Sequence, residues 1–294
     1  MEQFFQAAVY GVLQGGLYAL IAVGFSLVWG VMHVVNVAHG AFVIAGAYIA
    51  WSVSTGLGLS PFVGMVVAAA VLFVFGYIVQ RGVINLVVNA PIWMTLLLTF
   101  GLELLIVNGL IIVYSGDFRS IRTDFAAQGL SIGEVRIPYG RLLGFGLALL
   151  LTLLLASFLD RTRTGRAIKA TGMDRATARL MGIEVRHVYA LTVGIAAALA
   201  AIAGSMVGLV GTFSPAGAGS FTLRSFVIAV LGGLGNMWGA LAGGLVLGVA
   251  ESLGGQYLSG TLVNAIGFGV LVLVLIVRPS GLLGRPFYEA RVEG

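Results

Sequence analysis

Apolar positions in this chain gather into long runs rather than alternating or recurring on one face. Residues 5–30, 40–56, 61–80, 91–114, 140–159, 189–213 and 259–277 form seven such runs, and a further long one covers 225–253. About 20 apolar residues carry a helix across the hydrocarbon core of a bilayer, and most of these runs approach or exceed that length. A membrane β-barrel needs alternating polarity, and stretches such as Leu147 to Leu155 show none. The pattern predicts an all-α polytopic membrane protein with about seven or eight transmembrane helices, folded as a single transmembrane domain over residues 1–294. Met1 to Gln6 carries no Lys or Arg ahead of the first run, unlike a secretory signal, so the first helix is expected to be retained.

Polar residues between the runs orient the chain, because short loops rich in Lys and Arg stay in the cytoplasm. Residues 160–188 hold seven such residues against three acids and are expected inside. The tail after Ile276, with Arg278, Arg285 and Arg291, is expected on the same side. Residues 115–141 mix four arginines with three acids and are separated from the basic loop by one run, which places them outside. Between an inside loop and an inside tail the number of crossings is even, yet three runs lie there. The middle run is therefore expected to enter and leave by one face. Leu231-Gly-Gly-Leu-Gly-Asn-Met-Trp-Gly-Ala240 interrupts it and fits a re-entrant or broken helix. The alternative is a straight, closely packed helix, since Gly235, Gly239 and Gly243 have the spacing of a helix contact.

A second interruption lies at residues 30–40, in Gly30-Val-Met-His-Val-Val-Asn-Val-Ala-His-Gly40. Asn36-Val-Ala-His-Gly-Ala-Phe42 echoes Asn236-Met-Trp-Gly-Ala-Leu241, one residue shorter. Paired glycine-interrupted segments are what a transporter with an internal repeat would show, and chance similarity in glycine-rich membrane sequence gives the same echo.

Composition supports the bilayer and removes other classes. The chain is 59% apolar and 9% charged, with a mean hydropathy of +1.06. Soluble domains carry about 25% charged residues, so too little polar surface exists here to enclose a water-soluble core. The 44 glycines follow no collagen-like period and must lie inside the apolar runs. With no cysteine there is no disulfide, thiolate metal site or cysteine nucleophile. The net charge of +5 is scattered between runs rather than gathered in a patch, so no nucleic acid partner is expected.

Parts for an enzyme are missing. His33, His39 and His187 form no His-Glu-x-x-His pair, and neither a phosphate-binding loop nor a nucleophile elbow is present. Neither a cofactor nor a metal site is predicted. Strongly polar groups at membrane depth are Asn36, His39, Glu103, Asn108, Asn236, Glu251 and Asn264, and such residues are costly in hydrocarbon. Glu103 lies near the middle of its run, where a carboxyl has three available roles: binding a substrate ammonium, relaying protons, or bonding between helices in its protonated form. Asn36, His39, Glu103, Asn108, Asn236 and Trp238 are the candidate translocation-path residues. His39 and Glu251 also have plain packing explanations.

The basic loop is the most informative stretch: Arg163-Thr-Gly-Arg-Ala-Ile-Lys-Ala-Thr-Gly-Met-Asp-Arg-Ala-Thr-Ala-Arg-Leu-Met-Gly-Ile183. Ile168, Gly172, Ala176, Leu180 and Ile183 share one helical face, and Arg175 and Arg179 another. A short amphipathic helix, or two halves hinged at Gly172, is expected. It lies on membrane lipid or docks into a partner.

Here the sequence resembles the permease subunits of bacterial branched-chain amino acid ABC transporters. The likeness includes Gly16-Leu-Tyr-Ala-Leu20, Val35-Asn-Val-Ala-His-Gly-Ala-Phe42, Thr99-Phe-Gly-Leu-Glu-Leu-Leu-Ile-Val-Asn108, Thr164-Gly-Arg-Ala-Ile-Lys-Ala170 and Gly232-Gly-Leu-Gly-Asn-Met-Trp-Gly-Ala240. By that resemblance the basic loop is a cytoplasmic coupling helix, with Gly165, Arg166, Ala167, Lys169, Ala170, Gly172 and Gly182 as contact or hinge positions. The general importer signature of Glu-Ala-Ala and a spaced glycine is incomplete, because Arg166 stands where the Glu would lead. The family implies a second, homologous permease subunit, two ATP-binding subunits and a periplasmic solute-binding protein, all at a bacterial inner membrane. The outside loop, with Asp117, Arg119, Arg122 and Asp124, would receive the binding protein or be merely solvated. A stand-alone channel or an ion-coupled secondary transporter using Glu103 is the competing class, and a structural scaffold is the third.

Overall fold

The computed structural model describes residues 2–88, 90–132, 135–257 and 260–284. Arg285 and Arg291 of the tail, and the side chain of Asn264, lie outside the described residues. The helices in chain order are α1 (Glu2–Met32), α2 (His39–Gly56), α3 (Pro61–Val79), α4 (Asn85–Val87), α5 (Ile92–Tyr114), α6 (Asp124–Ala127), α7 (Tyr139–Arg161), α8 (Arg163–Met173), α9 (Arg175–Leu180), α10 (Val185–Val210), α11 (Ala218–Gly232), α12 (Met237–Tyr257) and α13 (Gly260–Val277). A π-helical turn, Gln80–Ile84, joins α3 to α4, and a short antiparallel hairpin, Gly129–Ile132 with Val135–Pro138, precedes α7. Seven of the described helical stretches are long and apolar enough to cross a membrane.

Neighbouring contacts give each helix a direction. We call the end carrying α8 and α9 the basic end and the other the far end. Gly172 of α8 packs on Gly30 and Val31, so α1 finishes at the basic end. His39, the first residue of α2, donates through Nε2 to Ile21 O (2.8 Å), well back along α1. Tyr48, further along α2, stacks on Tyr114 at the end of α5. Residues 33–38 therefore climb from the basic end back to mid-depth, and α2 starts inside the bilayer and leaves by the far end. The 30–40 interruption is a true break. His33 ends α1 at a φ of 54°, a strained value for a residue with a Cβ.

The second half repeats this path upside down. α10 rises from the basic end to the far end, residues 211–217 descend, and α11 starts at mid-depth and returns to the basic end. Its first turn touches the first turn of α2, where a Cβ on Gly40 would strike Ala218 O. α12 then crosses to the far end, where Ser252 Oγ donates to Ala7 O (2.7 Å), and α13 returns. The order α1, break, α2, α3, α5 thus matches α10, break, α11, α12, α13 with opposite orientation, an inverted repeat with α7 between the halves. The matching stretches are His39-Gly-Ala-Phe42 and Ala218-Gly-Ser-Phe221.

This corrects the expectation for residues 231–240. The helix does break there, but as a tight turn at the basic end between two separate helices, with Gly233 (φ +103°) and Gly235 (φ +80°) in conformations that suit glycine. Four crossings rather than three satisfy the even count. The repeat partner of the 30–40 break is residues 211–217.

Packing depends on backbone approach rather than large side chains, since in lipid helix association rests on close contact and not on hydrophobic drive. A Cβ on Gly15 would stand 2.7 Å from Gly244 O, and one on Gly76 2.8 Å from the Ala197 side chain. Gly204 faces the Val43 carbonyl of α2, Gly239 faces Gly232, and Gly243 faces Ile228 O, so these spaced glycines serve contacts within the chain. Overfilling such a contact costs about 1–3 kcal/mol. Gly204→Val is expected to lower the thermal unfolding temperature of the detergent-purified chain clearly. Gly146→Ala, with nothing within 4 Å, should leave it unchanged or slightly raised.

Candidate functional site

Backbone in the middle of a bilayer has no water to bond to, so residues 33–38 need side-chain partners. Two threonines supply them. Thr99 Oγ1 accepts from the Val37 N–H (3.2 Å) and lies 3.3 Å from Val35 O, and Thr222 Oγ1 donates to Val37 O (2.8 Å) while accepting from the Gly40 N–H (2.9 Å). Thr222 lies on α11 and Thr99 on α5, so the break in the first repeat is held by the half-helix of the second and by a neighbour. Neither threonine was singled out from the sequence. For Thr99 the available signal was its spacing, because Thr95, Thr99 and Glu103 fall one turn apart and are the buried residues of α5.

Around this hub lie three of the candidate path residues. Asn36 is 3% exposed, and its Oδ1 has no hydrogen-bond partner. His39 is fully buried, bonded through Nε2 to Ile21 and edge-on to Phe25, with Nδ1 unpartnered. Glu103 is 8% exposed, and its Oε1 would be 3.8 Å from a Cβ on Gly219, in the first turn of α11. The N-termini of α2 and α11 meet here, and helix N-termini carry partial positive charge. A carboxyl beside them has a reason to be tolerated at depth.

The other three are elsewhere. Asn108 is exposed on α5 and bonds back to Leu104 O (2.7 Å). Asn236 accepts from the Gly239 N–H (3.1 Å) at the start of α12 and donates to Leu283 O (2.7 Å), so it joins the basic-end turn to the tail. Trp238 is 44% exposed beside it. The structure places Asn36 in the break, His39 just after it with its ring against α1, and Glu103 against the first turn of α11, and sets Asn108, Asn236 and Trp238 apart from them.

At the basic end the amphipathic expectation holds in outline and shifts in register. Gly165, Ile168 and Thr171 are the buried positions of α8, with Gly165 pressed against Phe158 and Leu159. Thr162 caps α8 through the Gly165 N–H (2.9 Å), and Lys169 pairs with Asp160. Arg166 is exposed, and Ala167 and Ala170 are half-buried. The hinge is Asp174 rather than Gly172: its extended backbone ends α8 and its carboxylate caps α9 at the Ala176 N–H (2.8 Å). Hydrogen bonds from Thr177 and from the α9 amides hold this carboxyl below its ordinary range. Gly172 packs against Gly30 instead, and Gly182 (φ +79°) closes α9 with the paired carbonyl bonds of a glycine C-cap. Met173, Leu180 and Met181 are 83%, 87% and 77% exposed beside the arginines; Leu180, expected on the apolar face with Ile168, is turned outward, and the two methionines were not singled out from the sequence.

At the far end the loop after α5 is tied to the bundle. Arg119 lies over the Trp51 ring (4.2 Å) and exchanges backbone bonds with Phe213 (2.9 Å each way), and the Ile121 N–H donates to Gly208 O (2.8 Å). Arg119 is thus an anchor for the 211–217 break, while Asp117 accepts from Ser115 Oγ (2.7 Å). Among the described residues no cluster of His, Cys, Asp and Glu suits a metal.

A polytopic bundle of inverted repeats, with two half-helices meeting at mid-depth, a basic-end helix pair and a far-end loop, is the setting for comparison with known proteins. Residues 7–277 match the family described as the branched-chain amino acid transport system permease component. The chain belongs to this family. It is 34% identical to the high-affinity branched-chain amino acid transport system permease protein BraD of Pseudomonas aeruginosa, over 97% of both chains. It is 32% identical to the corresponding LivH of Escherichia coli K12, again over 97% of both. Among solved structures it aligns with PsaBC from Streptococcus pneumoniae in complex with Fab, at 14% identity and a TM-score of 0.45 over 95% of this chain and 91% of that one.

For this permease the threonine hub predicts a graded stability series. Thr222→Val strips two backbone groups of their partner, each worth about 1–3 kcal/mol when left buried and unpaired. Thermal unfolding in detergent is expected to show a clear loss for Thr222→Val and near-complete recovery for Thr222→Ser.

Proposed function

We propose that this permease is one transmembrane subunit of an ATP-driven importer in the bacterial inner membrane. It carries branched-chain or related hydrophobic amino acids delivered by a periplasmic binding protein. A second, homologous permease completes the transmembrane part, and two separate subunits bind and hydrolyse ATP. The observation that carries this reading is the family match along nearly the whole chain.

The geometry of both ends supports it. The buried faces of α8 and α9 are turned to the bundle, which leaves Met173, Leu180 and Met181 outward, and three long apolar side chains set among arginines suit a protein cleft. ATP binding would move that cleft and, through Gly172 on Gly30 and Gly235 on Gly30, the basic-end turns of both repeats. At the far end a docked binding protein would press on the loop that Arg119 ties to the 211–217 break. The path passes the hub of Asn36, His39 and Glu103, with Asn108 on the outward side and Asn236 and Trp238 at the inner exit.

Affinity purification of the tagged permease in mild detergent tests this reading. The native chain is expected to bring down ATP-binding subunits and a second permease. Arg166→Glu with Lys169→Glu, or Met173→Glu with Leu180→Glu, should lose at least nine-tenths of the ATP-binding subunits while keeping the second permease. Uptake into vesicles should require internal ATP, continue with the proton gradient collapsed, and survive Glu103→Gln within a few-fold. Loss of uptake on collapsing the gradient, with no ATP requirement, would move the mechanism to an ion-coupled carrier centred on Glu103.

A further inference from the structure

The opposite side of α11 from the hub carries a second set of polar and charged groups, Tyr18, Arg224 and Glu251. Thr222 points to the hub; Arg224, two residues on, falls about 200° around the helix. Arg224 Nε stands 3.8 Å from Glu251 Oε1 on α12, its guanidinium lies over the Tyr18 ring (5.2 Å), and Tyr18 donates to Glu251 Oε2 (2.6 Å). Tyr18 is one residue past the midpoint of the 31-residue α1. Glu251 precedes Ser252, which bonds to Ala7 towards the far end, so the ion pair lies inside the membrane span on the far-end side of mid-depth, where charges persist mainly when they serve a ligand or a pathway. The run assigned from the sequence began at residue 225, which left Arg224 outside it as a flank.

Arg224 and Glu251 line an open cleft of about 130 Å³ between α11, α12 and α13. Its remaining walls include Leu223, Val227, Leu247 and Phe268, and Ser220 sits on its rim. The charges are adjacent and opposite and the walls are apolar, so the cleft combines the three features of a zwitterionic amino acid with an aliphatic side chain. Resting on the reading of this chain as an amino acid permease, we propose that the cleft is a transit site for the substrate. Arg224 holds the α-carboxylate, Glu251 the α-ammonium, and Val227 and Leu247 the branched side chain. A guanidinium offers five donors in a planar fork, enough to hold a carboxylate beside its protein partners. A cavity of about 150 Å³ accepts benzene, so this volume suits an isobutyl group. A zwitterionic phospholipid headgroup has similar charges, and the test below separates it from an amino acid.

Reconstituted complex, with binding protein outside and ATP inside, tests the site using radiolabelled leucine. Glu251→Gln keeps an acceptor for Tyr18 and removes the charge; Leu223→Trp fills the cleft and leaves both charges in place. Each is expected to reduce leucine uptake at least tenfold while ATP hydrolysis stimulated by the loaded binding protein stays within about twofold of the unmodified complex. Arg224→Lys, which keeps the charge and loses the fork, should fall between. Uptake unchanged in both Glu251→Gln and Leu223→Trp would overturn the cleft and leave the transport reading standing. No leucine uptake by the unmodified complex would sink both. Retained leucine uptake in Arg224→Met together with loss of a co-purifying phospholipid would assign the cleft to a headgroup and overturn the proposal.

Discussion

Peptide groups cannot go unbonded in hydrocarbon, and the whole architecture answers to that constraint. Two segments outside the α-helices, 33–38 and 211–217, carry the backbone to mid-depth, the second ending in a 3-10 turn at Pro215–Gly217. The first is bonded by Thr99 and Thr222, and the second begins in a bridge between Phe213 and Arg119. Each break is therefore bonded from outside its own repeat unit's helix pair. A half-helix that starts at mid-depth exposes its amide-rich N-terminus there, and the two N-termini face one another across Gly40 and Ala218. The polar hub follows from this arrangement: once unwound backbone and two positive helix ends occupy the core, Asn36, His39 and Glu103 have an environment that plain hydrocarbon would deny them.

Glycine makes such proximity possible. Where Gly40 meets Ala218, Gly15 meets Gly244 and Gly204 meets Val43, any side chain would hold the backbones apart. In a soluble core large apolar side chains gain by leaving water, but between helices in lipid that gain is absent, and close backbone contact takes its place. The glycine content noted from the sequence is thus the counterpart of the broken helices. The same substitution has opposite consequences on the two sides of the bundle, since Gly204 is walled by backbone and Gly146 by nothing within 4 Å.

Much of the fold was legible because bilayer helices announce themselves by length and polarity alone. The basic loop fixed the relative orientation of its neighbours, and the break at 30–40 was visible from His33 to Gly40. What failed was symmetry read by letters. Asn36 to Phe42 was set against Asn236 to Leu241 because both contain asparagine and glycine, whereas the structural counterpart, Ala218-Gly-Ser-Phe221, shares only small residues and a phenylalanine. Gly211 to Gly217 looks like an ordinary loop, and nothing in its composition says that it descends into the membrane. Arg224 was missed because the apolar run was begun at residue 225, although a short half-helix can carry a charge at its centre when Glu251 answers it. The hinge shifted from Gly172 to Asp174 because a capping carboxylate ends a helix more firmly than a glycine that is packed against a neighbour.

α11 stands out because the hub and the cleft both meet it and its ends adjoin the segments that reach the far-end loop and, through Gly30, α8. Its N-terminal side follows the segment tied to the far-end loop, its Thr222 face closes the hub, and its Arg224 face lines the cleft. At its C-terminal end Leu231 and Gly232 accept from the Leu282 and Leu283 amides, and Gly235 just beyond it rests on Gly30, the residue that α8 also touches. A short helix bonded at both ends to structures that would meet partners is placed to transmit a displacement from either side. Its 15 residues span only about 22 Å, less than the hydrocarbon thickness, so it can shift along its axis without moving a charged end through lipid. Such a shift would change the hub and the cleft together, because Thr222 and Arg224 are two residues apart on one rigid element. Access to the two sides of α11 would then be linked by geometry alone, without a separate relay between them.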